Sequence, residues 1–141
     1  MEALKISMTG LDVEWQRLQV IAQNLANINS TRNELGEVYR PQRLLSGPDV
    51  TFSTLLQGDK AAQKATGVRV MGVENTPNGV RVAFEPNHPH ADENGMVQYP
   101  NVDHAAEMTQ MIKASRVYEA NLTAISIAQQ MYNRALDMGR G

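Results

Sequence analysis

The side chains with the most chemical potential in this chain form two small groups, His88, His90 and Asp92 in one segment and Asp103 with His104 further on. Imidazole and carboxylate groups are common zinc ligands, and zinc sites use three or four of them at a recognisable spacing. The HPH segment lies among prolines and lacks an HExxH motif or a second pair of ligands. We therefore interpret these histidines as loop residues, and we predict no metal and no cofactor.

Other patterns of catalysis and nucleic-acid binding are also missing from the sequence. There is no G-x-S-x-G motif, and the glycine-bounded segment 58–67 lacks the G-K-[ST] ending of a phosphate-binding loop. The net charge of −2 gives no basic field for nucleic acid, and the absence of cysteine excludes disulfides and thiolate metal sites. We predict a non-enzymatic protein with no nucleic-acid partner, no cleaved secretory signal and no direct membrane insertion.

Apolar residues spaced alternately by four and three predict a long helix at each end of the chain. The N-terminal stripe consists of Leu4, Met8, Leu11, Trp15, Leu18, Ala22, Leu25 and Asn29. The C-terminal stripe consists of Met108, Met111, Ser115, Tyr118, Leu122, Ile125, Gln129, Tyr132 and Leu136. Matching stripes predict that the two helices pack on each other as an antiparallel coiled coil. The larger apolar side chains of both stripes are the predicted packing residues within the subunit.

The ends of the two helices carry their own signals. Turn-forming residues in segment 29–36, NSTRNELG, predict the end of the first helix. Asp103 is placed to cap the start of the second helix and Gly139 to stop it. Gly10 is a weak point of the first helix, because glycine is about 1 kcal/mol less favourable than alanine in a helix interior.

The middle of the chain changes from helical to alternating periodicity. Segments 67–73 and 79–85 predict two strands joined as a hairpin, and segments 37–45 and 50–56 are weaker strand candidates. Segment 57–66 has the composition of an exposed loop, and segment 85–103 that of an irregular connection. The predicted fold is mainly α with a small β insert, divided into an N-terminal helix (1–36), a β-rich insert (37–100) and a C-terminal helix (101–141).

Two stretches of the predicted helices, residues 18–31 and 120–133, carry no charge. An exposed helix face normally carries charged residues, so these stretches predict burial against something outside the helix pair. Neutral amides suit such a setting, because they can pair without the desolvation penalty of a charge. We predict subunit–subunit contacts through polar side chains on the two helices, namely Asn24, Asn27, Asn29, Arg116, Asn121, Gln129 and Gln130.

The segment NLANINST, residues 24–31, resembles the N-terminal signature of the axial proteins of bacterial flagella, the rod and hook family. Segments 86–103 and 107–125 are similar to the loop and C-terminal helix of the proximal rod proteins, and segment 39–45 fits the position after the first helix. Residues 46–66 match no recognised part of the family, and the first dozen residues lack its more typical pattern.

The resemblance implies a structural subunit without enzymatic activity. Its terminal helices would pair and then pack with other copies and other rod proteins into a hollow helical drive shaft that transmits torque from motor to hook. It would reach the periplasm through the flagellar type III export apparatus without a cleaved signal. Three alternatives stay open: another flagellar axial protein, a small helical metal-dependent enzyme that uses the histidines, and a stand-alone coiled-coil adaptor.

Overall fold

A computed structural model describes residues 2–50 and 67–140. It confirms the predicted fold class, with a long helix at each end of the chain and short strands between them. The elements are α1 (Glu2–Ala26), β1 (Gln42–Pro48), β2 (Val68–Asn75), β3 (Val80–Phe84), β4 (Met96–Pro100) and α2 (His104–Gly139). The predictions for segment 50–56, beyond its first residue, and for segment 57–66 lie outside the described residues.

Side-chain caps set two of the helix ends. The Asp103 Oδ1 accepts a hydrogen bond from the Ala106 N–H at 3.1 Å, so the predicted cap of α2 is confirmed. At the end of α1, the Asn27 Nδ2 donates to the Gln23 carbonyl at 2.8 Å. The helix ends at Ala26, so Asn29, the last residue of the predicted stripe, lies in the following turn and not on the helix.

Two contacts set the direction of the helices relative to each other. Gly10 on α1 lies against Asn121 on α2, where an added Cβ would come within 2.8 Å of the Asn121 Nδ2. Further along α1, the Trp15 ring lies 6.3 Å from the Tyr118 ring, measured between centroids. Residue numbers rise on α1 as they fall on α2, so the helices are antiparallel as predicted.

The four strands form two two-stranded sheets, β1 with β2 and β3 with β4. Strands β3 and β4 are antiparallel, with Val80 opposite Pro100 and Phe84 opposite Met96. The two predicted strands therefore form, but the prediction that they pair with each other as a hairpin is wrong. Backbone bonds on both sides of β2 hold it to the β1 segment instead: the Asp49 N–H donates to the Gly67 carbonyl and the Thr76 N–H to the Pro41 carbonyl.

The chain divides into two compact units, each built from separated segments. Unit 1 comprises residues 1–16, 45–72 and 113–141, and unit 2 comprises residues 17–44 and 73–112. Among the described residues, the buried hydrophobic side chains are Val13 and Ala114 in unit 1 and Ile21, Leu44 and Val97 in unit 2. This small core leaves large apolar areas of both helices exposed.

Candidate assembly surface

The packing face of α2 in unit 1 is displaced by one residue from part of the predicted stripe. The side chains of lower exposure include Ala114, Tyr118, Asn121 and Ile125, whereas Leu122 is exposed. The predicted Ser115, Tyr118 and Ile125 are half-buried, but Ala114 is more deeply buried than Ser115, and Asn121 takes the place predicted for Leu122. The real face is thus built partly from small and polar residues, which a hydrophobicity pattern does not select.

A close approach of the two helices explains this displacement. Gly10 has no side chain, and the Asn121 amide occupies the space that a side chain on residue 10 would need. Two turns earlier on α2, Ala114 is 1% exposed. Small residues let helix backbones come together, so larger neighbours such as Leu122 lie outside the contact. Gly10 is therefore a contact residue of α1, a role that the sequence analysis did not predict.

The predicted packing residues accordingly divide into two sets. One set is half-buried, and consists of Leu4, Leu11, Leu18, Leu25, Met111, Tyr118 and Ile125. The other set is exposed despite the prediction that it packs within the subunit, and consists of Met8, Trp15, Met108, Leu122, Tyr132 and Leu136. The second set is apolar helix surface that the described residues leave exposed.

In unit 2, Asn24 is the centre of a buried hydrogen-bond group and is only 1% exposed. Its Oδ1 accepts from the Tyr39 hydroxyl at 2.8 Å and from the Gln42 N–H at 2.9 Å. Its Nδ2 donates to the Gln42 carbonyl at 2.8 Å. The amide thus pairs with the backbone of β1 as a neighbouring strand would. Asn24 is therefore an interior residue of the subunit and not the subunit–subunit contact that the sequence predicts.

The position of Tyr39 in this hydrogen-bond group changes the pKa of its hydroxyl. Burial, and then the negative charge of Glu107, raise the pKa of the Tyr39 hydroxyl above its ordinary value. The hydroxyl therefore stays protonated and keeps its hydrogen bond to Asn24 at neutral pH. The groups that join α1 to β1 are therefore all uncharged: the Asn24 amide, the Tyr39 phenol and the backbone of Gln42.

The other residues predicted to contact neighbouring subunits lie at different depths. Asn121 is half-buried against Gly10, and its Nδ2 donates to the Val117 carbonyl at 3.0 Å. Asn27 is half-buried beside the end of α1. Four side chains remain exposed and available to a partner, namely Asn29, Arg116, Gln129 and Gln130.

The last third of α2 presents a large exposed apolar surface. In the antiparallel pair, each residue before Gly10 on α1 corresponds to one residue after Asn121 on α2, so the start of α1 is level with about residue 129. Helix α2 therefore continues roughly ten residues, or about 15 Å, beyond α1. Exposed apolar side chains before and along this extension are Ile127, Met131, Tyr132, Leu136 and Met138. Segment 120–133 carries no charged residue, whereas the extension itself contains one cation and one anion, Arg134 and Asp137.

His88 and His90 make hydrogen bonds within their loop and to the turn region after α1. The His90 Nδ1 and the Thr31 Oγ1 share a hydrogen bond of 2.7 Å, and the His88 Nδ1 accepts from the His90 N–H at 3.0 Å. The Asp92 Oδ1 accepts the N–H groups of Asn94 and Met96. These atoms order the connection before β4. Within residues 2–50 and 67–140, no group of three or more histidine, aspartate or glutamate side chains is placed to hold a metal ion.

Comparison with known proteins gives one matching family model and several full-length relatives. Residues 93–138 match the family model of the flagellar basal body rod FlgEFG protein C-terminal region. A flagellar basal-body rod protein FlgC from Borreliella burgdorferi is 33% identical over 99% of this chain and 97% of its own length. The FlgC proteins of Salmonella typhimurium and Bacillus subtilis are 34% and 30% identical over 96% and 98% of this chain, and over 94% and 97% of their own lengths.

The chain belongs to the FlgC family of flagellar basal-body rod proteins. The predicted resemblance is thereby confirmed, and the chain is a structural subunit of the basal-body rod. The matched segment 93–138 includes nearly all of α2, the helix with the exposed apolar surface. None of the described helices is long and apolar enough to cross a membrane.

Proposed function

We propose that this FlgC-family chain forms part of the proximal rod wall by burying the exposed faces of α1 and α2 against neighbouring axial subunits. The neighbours are other copies of the chain and other rod proteins, and the resulting hollow shaft transmits torque from motor to hook. The role is mechanical, with no catalytic step and no cofactor. Export through the flagellar type III apparatus would bring the chain to the periplasm.

One observation carries the proposal: within the part of the chain that the structure describes, the helices leave many large apolar side chains exposed. Met131 is 67% exposed and Met138 is 78% exposed. Large exposed apolar areas on soluble proteins mark interaction sites. A rod subunit has a use for such a surface, because neighbouring helices cover it in the assembled wall.

The polar residues beside this surface fit the same role. Gln129 and Gln130 are exposed on α2 among the apolar side chains, and Asn29 is exposed after α1. Neutral amides can exchange hydrogen bonds with water for hydrogen bonds with a neighbour at a smaller desolvation cost than charges. Arg116 is exposed on α2 and can pair with an acidic side chain across a subunit boundary.

Genetic complementation tests the proposal directly. In a strain that lacks its own copy, the wild-type chain is expected to restore motility and to copurify with basal bodies. The variant Ile127→Asp places a charge in the exposed apolar surface without disturbing the interior, since Ile127 is 52% exposed. We expect this variant to be exported but missing from basal bodies, with motility lost.

Leu35→Asp is the matched control. Leu35 is also exposed, at 83%, but it lies in the turn region between α1 and β1. We expect this variant to assemble and swim normally. Basal bodies that contain Ile127→Asp at the wild-type level would contradict the proposed role of the α2 surface. A stable helical dimer of the purified chain that never enters basal bodies would favour the adaptor alternative.

A further inference from the structure

Three exposed residues of α1 form a stripe on one helix face. Met8, Asp12 and Trp15 are spaced by four and then three, which places them in line on an α-helix. Met8 is 55% exposed and Trp15 is 53% exposed. We call these three residues the α1 stripe. It presents two large apolar side chains with a negative charge between them.

Three exposed residues of α2 form a second stripe in the part of the helix that extends beyond α1. Met131, Arg134 and Met138 are spaced by three and then four, so they also lie in line on one face. We call them the α2 stripe. It presents two methionines with a positive charge between them.

The two stripes are complementary when one of the helices is reversed. In an antiparallel alignment, Met8 faces Met138 and Asp12 faces Arg134, and the next step brings Trp15 opposite Met131. The spacings agree at both steps, and the central pair has opposite charges. Methionine sulfur also makes favourable contacts with aromatic rings. The chain therefore carries both halves of one contact.

The two halves cannot meet within one chain. The Gly10–Asn121 contact places Met8 level with about residue 123 of its own α2. Met138 lies fifteen residues further along that helix, which corresponds to about 22 Å at the rise of an α-helix. Any contact between the stripes must therefore join two molecules.

We propose that the α1 stripe of one copy binds, antiparallel, to the α2 stripe of a second copy. This inference rests on the proposed function, since it names one of the neighbours that cover the exposed helix surface. The two surfaces in contact are different, so the first copy keeps a free α2 stripe and the second copy keeps a free α1 stripe. Contacts of this heterologous type extend into open helical arrays unless the rotation closes a ring.

Disulfide cross-linking in isolated basal bodies tests this arrangement. The chain has no cysteine, so a Met8→Cys/Met138→Cys double variant contains only the two introduced thiols. A disulfide requires Cα atoms within about 7 Å, which excludes a bond inside one chain. We expect oxidation to yield a ladder of cross-linked copies on a non-reducing gel, whereas Met8→Cys alone yields none.

A charge exchange tests the central pair. In the double-cysteine variant, Arg134→Asp places two negative charges together and is expected to lower the cross-linked fraction roughly tenfold. Adding Asp12→Arg restores opposite charges and is expected to return the fraction to within about twofold of its starting value. Arg32→Asp makes the same change of charge at an exposed site outside both stripes, and we expect it to leave the ladder unchanged.

Each remaining outcome is decisive. Dimers of Met138→Cys alone would indicate a symmetric contact between two α2 stripes and would overturn the inference. Cross-links only to a different protein, or no cross-links in basal bodies that contain the variant, would also overturn it while leaving the proposed function intact. Absence of the unmodified chain from basal bodies would overturn both.

Discussion

Asn121 fills the space in which Gly10 would carry a side chain, so the two helices of unit 1 approach closely at one small residue. A Cβ on residue 10 would come within 2.8 Å of the Asn121 Nδ2 and 3.0 Å of its Cγ. The Asn121 amide is held there by the bond from its Nδ2 to the Val117 carbonyl. Glycine in the middle of α1 thus has a packing role that offsets its low helix propensity.

This contact predicts that the effect of Gly10→Ala depends on residue 121. In the wild-type background, the added methyl displaces the Asn121 amide, and we expect the free energy of unfolding to fall by about 1 kcal/mol. In an Asn121→Ala background the space is open, and the better helix propensity of alanine is expected to raise it by about 1 kcal/mol. Urea unfolding of the four chains measures both effects.

Gly139→Ala is the control for this pair. Nothing lies within 4 Å of a Cβ at residue 139, so its substitution is expected to change stability equally in both backgrounds. The same effect of Gly10→Ala in both backgrounds would show that the helices do not meet at this point.

A second prediction concerns Asn24, whose side chain makes three hydrogen bonds inside unit 2. Asn24→Ala leaves the Tyr39 hydroxyl and both polar groups of the Gln42 backbone without these partners. Buried polar groups that lose their partners are strongly destabilising, so we expect the free energy of unfolding to fall by about 2–4 kcal/mol. Thermal and urea unfolding of the purified chain measure the loss.

Tyr39→Phe is the matched variant for Asn24, because it removes one of the three bonds and keeps the ring. We expect it to be destabilised by about 1 kcal/mol. The double variant Asn24→Ala/Tyr39→Phe is expected to lose less than the sum of the two single losses, because both remove the same bond. Strict additivity would mean that the two side chains do not interact.

The raised pKa of Tyr39 gives a prediction for alkaline pH. The folded chain holds the phenol proton more tightly than the unfolded chain, in which the pKa is about 10. The contribution of this group to stability is therefore fully present below about pH 10 and is lost as the pH rises through the folded value. Unfolding measured between pH 8 and 11 is expected to show a steeper alkaline loss in the wild type than in Tyr39→Phe.

Parallel alkaline losses in the two chains would contradict this assignment. Tyr99 also has a raised pKa, chiefly because its hydroxyl donates to Glu85 at 2.9 Å. It is present in both chains, so the difference between them reports Tyr39 alone.

The helices, their antiparallel pairing and the cap at Asp103 could be predicted because each depends on local spacing or residue type. The packing face could not be predicted in full. The contact positions Gly10, Ala114 and Asn121 are small or polar, whereas the exposed Leu122 is strongly apolar. A pattern of hydrophobicity cannot distinguish an apolar face that packs within the chain from an adjacent one that is kept for a neighbour.

The pairing of the strands could not be predicted from the sequence, for a different reason. Strand periodicity identified both β2 and β3, but pairing depends on which edge lies nearby in the fold. The backbone bonds at Gly67 and Pro41 hold β2 to β1, and β3 pairs with β4 across an eleven-residue connection, residues 85–95. The interior role of Asn24 likewise depends on Gln42, which is distant in sequence.

The extension of α2 beyond α1 predicts how order is distributed in the free subunit. Residues 130–139 have no α1 residues beside them and their side chains are exposed, and a helix segment with little packing is marginal in water. In the purified monomer, we expect amide hydrogens there to exchange much faster than those of residues 111–128. In isolated basal bodies, neighbouring subunits would cover the same segment, and its exchange is expected to slow by at least about a hundredfold. Slow exchange in the monomer at the level of residues 111–128 would mean that this segment is stable without a partner, and the surface would then need another explanation.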